Sequence, residues 1–223
     1  MSAPSGSSPE IAAVAFDLDG LMFNTEEVFH HTLTELLARR GKPAPPELFA
    51  SMMGLRAAEA HEVMREMMEL TETADELQVE VSEIFTAELE RIVRPMPGLM
   101  GLLDRLEATG RPKAVCTSSG RQYASDLLSR HAIDHRFDFI LGGGDVANGK
   151  PHPEVYATAA ERFGVDPASM LVLEDSAHGV AAGKAAGAFT VGVPHEFTAG
   201  QRYDHADLVA ETLADERLLE LLY

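Results

Sequence analysis

The chain has 223 residues, 45% of them hydrophobic and 24% charged, which is enough to bury a sizeable core and too apolar for a wholly disordered chain. A formal net charge of −18 excludes the basic face that a nucleic-acid binder needs and disfavours anionic membranes. The single cysteine, Cys116, permits no intramolecular disulfide and no cysteine-rich zinc site.

Residues 1–10 are rich in Ser, Pro and Gly and are expected to be a flexible tail; with no Lys or Arg, they do not open as a secretory signal. Ile11 to Phe16 is a short apolar run that ends abruptly at Asp17, the pattern of a buried first strand. From Asn24 to Arg94 the chain has no strand-like run. It carries helical periodicity instead, through Val28, Leu33, Leu36 and Leu37, then Val63, Met67 and Leu70, then Leu77, Val81, Ile84, Phe85 and Leu89. Gly41 and Pro43 to Pro46 break it after its first helix, and the glutamates at 59, 62, 66 and 69 read as a solvated face.

Pro95 and Pro97 mark a return to the first rhythm. Lys113 to Cys116, Met170 to Leu173 and Ala188 to Val193 are short apolar runs, with Phe139 to Leu141 and Asp207 to Val209 as weaker strands. Helices are expected at Leu99 to Ala108, Gln122 to Arg130, Glu154 to Phe163 and Ala177 to Ala186, most with glycine just beyond the last turn. Alternating strand and helix implies an α/β fold: a Rossmann-like parallel sheet core, residues 11–23 and 95–223, with an inserted all-helical domain at 24–94. No apolar run reaches the ~20 residues of a membrane span, so the chain is expected in the cytoplasm.

Nearly every acidic or phosphate-friendly residue falls immediately after a strand, which is where open α/β sheets bind ligands. Asp17 and Asp19 follow the first strand, Thr117-Ser118-Ser119-Gly120 the second, and Glu174-Asp175-Ser176 the Met170 strand. Two acidic clusters at neighbouring strand ends repel unless a cation lies between them, and carboxylate oxygens suit Mg²⁺. Gly144 to Lys150 imitates a nucleotide-binding loop, G-x-x-x-x-G-K, but Pro151 supplies no hydroxyl for magnesium, so Lys150 is kept only as a fixed cation. An acidic pair, a hydroxyl, a lysine and a second acidic pair are the parts of phosphoryl transfer through an aspartate.

In their order, FDLDGLMFNTE at Phe16 to Glu26, CTSSG at Cys116 to Gly120, GKPHPEVY at Gly149 to Tyr156 and LEDSAHGV at Leu173 to Val180 resemble the haloacid dehalogenase-like hydrolases, in the phosphatase and β-phosphoglucomutase-like branch. The resemblance spans all but the tail. It implies that residues 24–94 are a helical cap and that the chain is a Mg²⁺-dependent phosphoric monoester hydrolase of small phosphorylated metabolites. By the same resemblance Asp17 is the nucleophile and Asp19 the general acid and then base. Thr117, Ser118 through its amide, and Lys150 hold the phosphoryl group. Asp17, the Asp19 carbonyl and Asp175 bind Mg²⁺, with Glu174 a ligand or an outer acceptor.

Asn24 stands where an acidic residue is often found in the family, and Phe29 where β-phosphoglucomutases place a histidine early in the first cap helix. The phosphatase reading therefore leads, with a sugar phosphomutase as the alternative. Behind them come a dehalogenase, which would lack the second aspartate, and a non-catalytic aspartate-phosphorylated signalling module, which would lack the insert. The crossings at Leu21 to Thr25 and Arg94 to Gly98 are the expected hinges, and Arg56, in the Met53-Gly54-Leu55-Arg56 loop, is the candidate for substrate specificity. His131 and His135 read as surface histidines, Cys116 as packing, and His178 belongs to no G-x-S-x-G elbow. A monomer is expected.

Overall fold

The computed structural model describes residues 10–52 and 57–223, without the side chains of residues 50, 57 and 58. The tail and the loop carrying Arg56 therefore lie outside the described residues, apart from exposed Glu10. Backbone contacts divide the chain into two compact units, Asn24–Arg94 and the remainder, with Phe23 and Pro95 at the boundaries.

In the larger unit, β1 (Ala13–Phe16), β2 (Lys113–Cys116), β3 (Phe139–Leu141), β4 (Met170–Glu174), β5 (Phe189–Gly192) and β6 (Leu208–Val209) form one six-stranded sheet. Its order is β3-β2-β1-β4-β5-β6, and every neighbouring pair is parallel. β1, β2 and β4 are buried along their whole length, as parallel strands covered on both faces must be. The connecting helices are α5 (Leu99–Ala108), α6 (Arg121–Arg130), α7 (Glu154–Phe163), α8 (Ala177–Ala185) and the terminal α9 (Glu216–Glu220); α1 to α4 belong to the other unit. Ala13 and Ala15 of β1, Cys116, Val172 of β4, and Val155, Tyr156 and Ala159 of α7 share one buried cluster on a single face of the sheet.

The strand order reverses at β1, which pairs with β2 on one side and β4 on the other. Phe16 stands beside Val115 and Leu173 in register, so Asp17, Thr117 and Asp175 emerge together at the carboxyl edge of the sheet. That is the switch point at which such sheets leave a crevice. β1 begins at Ala13, two residues into the apolar run, and Ile11 is buried without joining the ladder.

The helical unit holds α1 (Thr25–Ala38), α2 (Pro46–Met52), α3 (Ala57–Met67) and α4 (Ala74–Ile92). α4 begins with a reciprocal cap: the Thr73 hydroxyl accepts from Glu76 N at 3.2 Å while the Glu76 carboxylate accepts from Thr73 N at 2.8 Å. Leu33, Leu36 and Leu37 of α1 pack with Leu48, Ala60, Met64, Leu70, Leu77, Val81 and Ile84. Of the periodic residues expected around α3, Val63 packs against this cluster and Leu70 is buried, but Met67 is 44% exposed, and Ala60, His61 and Met64 turn inward as well. The buried face is therefore wider than one i, i+4 row, taking in both Ala60 with Met64 and Val63.

Asn24 binds the two ends of this unit together. Its amide donates to Ile92 O at 3.2 Å and to Glu27 Oε2 at 2.9 Å, and its carbonyl oxygen accepts from Arg94 N at 2.6 Å. A side chain with both a donor and an acceptor is needed there; a carboxylate could only accept. No helix among the described residues is long and apolar enough to cross a membrane.

Candidate active site

β1 ends in a tight loop. Gly20 N donates to Phe23 O at 2.9 Å and Met22 N to Leu18 O at 2.9 Å, while Leu18, Leu21, Met22 and Phe23 are buried beneath it. The apolar anchors hold Asp17 and Asp19 at the sheet edge. Gly20 has φ +77°, and a Cβ there would lie 2.4 Å from Asp175 Oδ2, so both the turn and the passage past Asp175 require glycine.

Asp17 is 7% exposed and meets Lys150, whose Nζ lies 2.5 Å from Asp17 Oδ1, 2.6 Å from Glu174 Oε1 and 2.9 Å from Cys116 O. The ammonium also lies over the Tyr156 ring, 5.0 Å from its centroid. Glu174 has no exposed surface; its carboxylate accepts from the Tyr156 hydroxyl at 2.5 Å and from Ser176 Oγ at 3.2 Å. Burial pulls the Lys150 pKa down, but Asp17 and Glu174 outweigh it and the net direction is up, so the ammonium stays charged. Burial pushes Asp17 well above its ordinary 3.8, against Lys150, and the neighbouring carboxylates of Glu174, Asp175 and Asp19 push the same way.

Asp19 is held separately. Its carboxylate accepts from Ser119 Oγ at 2.6 Å, from the Tyr123 hydroxyl at 3.2 Å and from Thr117 Oγ1 at 3.4 Å. Thr117 is buried and its hydroxyl accepts from Ser119 N at 3.0 Å, which curls the loop after β2. That loop rests on the glycines following β3: a Cβ on Gly143 would lie 2.3 Å from Ser118 O. Exposed Ser118 is therefore positioned by its backbone.

Asp17, Glu174 and Asp175 each bring a carboxylate oxygen within 4.8 Å of the others, all three buried. An all-oxygen donor set with a surplus of negative charge fits Mg²⁺ and does not suit a soft metal. Three buried carboxylates against one lysine leave a charge that a divalent cation offsets.

The structure thus gathers Asp17, Lys150, Glu174 and Asp175 into one cluster and links Asp19 to Thr117, whereas Arg56 lies outside the described residues. Tyr156, Ser119, Tyr123, His195 and Tyr203 are additional. Tyr156 carried a signal, since a hydroxyl on the apolar face of a buried helix demands a partner, and Ser119 lies in the Thr117-Ser118-Ser119-Gly120 run; Tyr123, His195 and Tyr203 reach the site without a local pattern. Cys116 is packing, its thiol pushed up to about 12 by burial. His178 is exposed. His131 departs from the surface role expected of it: α6 stops at Arg130, so it shares no helical face with His135. Its ring packs on Phe23 with centroids 4.7 Å apart, and burial lowers its pKa.

The family model for haloacid dehalogenase-like hydrolases matches residues 14–193. A bifunctional riboflavin kinase/FMN phosphatase from Arabidopsis thaliana is 35% identical over 93% of the chain, which spans only 55% of that relative's length. A phosphorylated carbohydrates phosphatase from Thermotoga maritima is 30% identical over 92% of this chain and 96% of its own. Among solved structures, a hydrolase of the same family from Deinococcus radiodurans, crystallised with phosphate and sodium, superposes with a TM-score of 0.78 at 27% identity, covering 96% of this chain and 97% of that one.

Proposed function

The chain belongs to the haloacid dehalogenase-like hydrolases, and from that premise we propose that it is a Mg²⁺-dependent phosphatase of small phosphorylated metabolites acting through an aspartyl-phosphate. The observation that carries this reading is the buried meeting of Asp17 and Lys150, 2.5 Å apart, beside Glu174 and Asp175, with a second aspartate two residues along.

Asp17 attacks the substrate phosphorus. The bond to the ester oxygen breaks, and that oxygen takes a proton from Asp19. A water then gives a proton to Asp19 and attacks the phosphorus; the bond to Asp17 breaks, and inorganic phosphate leaves with the carboxylate restored. The carboxylates of Asp17 and Asp175 and the Asp19 carbonyl, with Glu174 as ligand or outer acceptor, would hold Mg²⁺, which when bound would supply positive charge where an anionic nucleophile meets an anionic phosphate. Lys150, Thr117 and the Ser118 amide hold the phosphoryl oxygens, and Ser119 and Tyr123 aim Asp19.

The helical unit serves as the substrate-selecting cap, with Arg56 its candidate specificity residue. We read the protein as a cytoplasmic monomer. Phe29, in the place of a mutase histidine, favours hydrolysis over isomerisation.

The test is phosphate release across sugar phosphates, nucleoside monophosphates and phosphoglycolate, with and without metal chelation, and with the products of β-glucose 1-phosphate identified. Release from at least one class that stops on chelation and returns with Mg²⁺ is expected. Release indifferent to chelation, or efficient formation of glucose 6-phosphate, would overturn the reading.

A further inference from the structure

Asp175 is gripped by the loop that follows β5. His195 Nε2 lies 3.0 Å from Asp175 Oδ2, the Tyr203 hydroxyl donates to the Asp175 carbonyl, and Gln201 Oε1 accepts from Ala177 N at 2.7 Å. Three side chains from one loop therefore fall on three points of the Asp175-Ser176-Ala177 segment. The loop is folded on itself to do so: His195 N donates to Thr198 Oγ1 at 3.0 Å, and Thr198 N and Ala199 N return to His195 O at 3.0 and 2.7 Å. Tyr203 lies against Gly192, where a Cβ would stand 2.8 Å from its ring.

The chemistry of His195 follows from its second nitrogen. Phe197 N is 3.3 Å from His195 Nδ1, and a backbone amide can only donate, so Nδ1 is the acceptor. In the neutral ring the proton is then on Nε2, which donates to Asp175 Oδ2. Gly20 closes the other side, since a Cβ there would lie 2.7 Å from His195 Nε2 and 2.4 Å from Asp175 Oδ2. The hydrogen bond is confined between the β5 loop and the loop that carries Asp17 and Asp19.

We propose that His195 is a positioning residue for Asp175, a role that rests on the reading of Asp175 as a Mg²⁺ ligand. By tying one carboxylate oxygen to its ring nitrogen at 3.0 Å, it sets the rotation of the carboxylate before a cation arrives, so metal binding need not order that side chain.

The experiment titrates Mg²⁺ alone into the full chain by calorimetry, without substrate, for wild type, His195→Ala, His195→Gln and Asp175→Asn, with thermal unfolding of each in chelator. His195→Ala should weaken Mg²⁺ binding by about 10- to 100-fold. His195→Gln, whose terminal amide nitrogen falls near the place of Nε2, should recover most of that loss, and the metal-free proteins should melt alike. If His195→Ala binds as wild type while Asp175→Asn does not, the positioning role is overturned and the metal reading stands. If Asp175→Asn also binds as wild type, the metal reading fails and this role fails with it. If both His195 variants lose affinity in step with lowered metal-free melting, His195 is packing and the proposal is overturned.

Discussion

The two units use polar side chains differently. At the carboxyl edge of the sheet, polar groups on strand ends and the loops beyond them are locked to partners remote in sequence: Lys150 to Asp17 and Glu174, Tyr156 to Glu174, Ser119 to Asp19. In the helical unit the interior is almost wholly apolar, and the strong polar contacts run over the outside, as in Arg65 with Glu62 and Arg91 with Glu88, each pair three residues apart. Phosphoryl transfer needs groups held at set distances across elements remote in sequence, whereas four packed helices need only matching apolar stripes. Substitutions should accordingly divide, with the sheet edge governing rate and the helical unit governing stability.

The largest effect belongs to Asp17→Asn. The neutral amide cannot attack phosphorus, so kcat should fall by roughly 10⁴-fold or more with the melting temperature kept. Steady-state kinetics and calorimetric melting measured together check it. Turnover near wild type would remove the division at its strongest point.

Asp19→Asn comes next, with a loss of about 10²- to 10⁴-fold, the usual worth of a positioned acid and base. Its Mg²⁺ affinity should persist, because the backbone carbonyl is unchanged. Weakened Mg²⁺ binding in a calorimetric titration would show that the Asp19 carboxylate serves the metal.

Gly143→Ala tests whether rate depends on backbone placement. The new methyl would lie 2.3 Å from Ser118 O and must push the loop after β2. A shift of about an ångström in a positioning group costs on the order of 10²-fold in kcat/KM. An unchanged kcat/KM would mean that the Ser118 amide has no part in holding phosphate.

Within the helical unit, Arg40 joins Glu72 at 2.7 Å and Glu80 at 2.5 Å and donates to Leu36 O at 2.8 Å. Arg40→Ala should lower stability by about 1 kcal/mol, as expected of a partly exposed network. Its kcat/KM toward a small aryl phosphate should not change; a large kinetic loss there would break the separation of roles.

The smallest effect is a pH dependence. His61 is 4% exposed in α3, its Nδ1 has no partner among the described residues, and burial pushes its imidazole below the ordinary 6.5. The unfolded chain therefore takes up this proton more readily than the folded one, so the associated stability is present above pH 6.5 and declines as the pH falls through that value. His61→Leu should flatten the acid limb of chemical denaturation midpoints by at most about 1 kcal/mol. An unaltered limb would assign it to other groups.

Much of this was legible in the sequence, for reasons that differ by residue. Asp17, Thr117 and Glu174 stand at the ends of short all-apolar runs, and a strand buried on both faces leaves no other place for a polar residue than its end. Lys150 follows no such rule and came from the motif that contains it. Hydrogen-bonding partners were not legible, since Tyr123 lies 104 residues from the Asp19 it contacts and His195 twenty residues from Asp175. In α3 the period was visible but the width of the buried face was not: Val63 packs inward as the periodicity suggests, yet Met67 in the same row is exposed while Ala60 and Met64 are buried, and packing against α2 and α4 decides this.

The claim on which the rest depends is that Asp17 carries the phosphoryl group between the two halves of the reaction. Rapid acid quench of the enzyme turning over a phosphorus-labelled aryl phosphate with Mg²⁺, followed by peptide mapping, measures this directly. The expected result is one labelled phosphoryl group on the peptide containing Asp17, absent from Asp17→Asn and chased by further reaction with water. Full turnover with no label on protein at any quench time, or label on a peptide without Asp17, would contradict it.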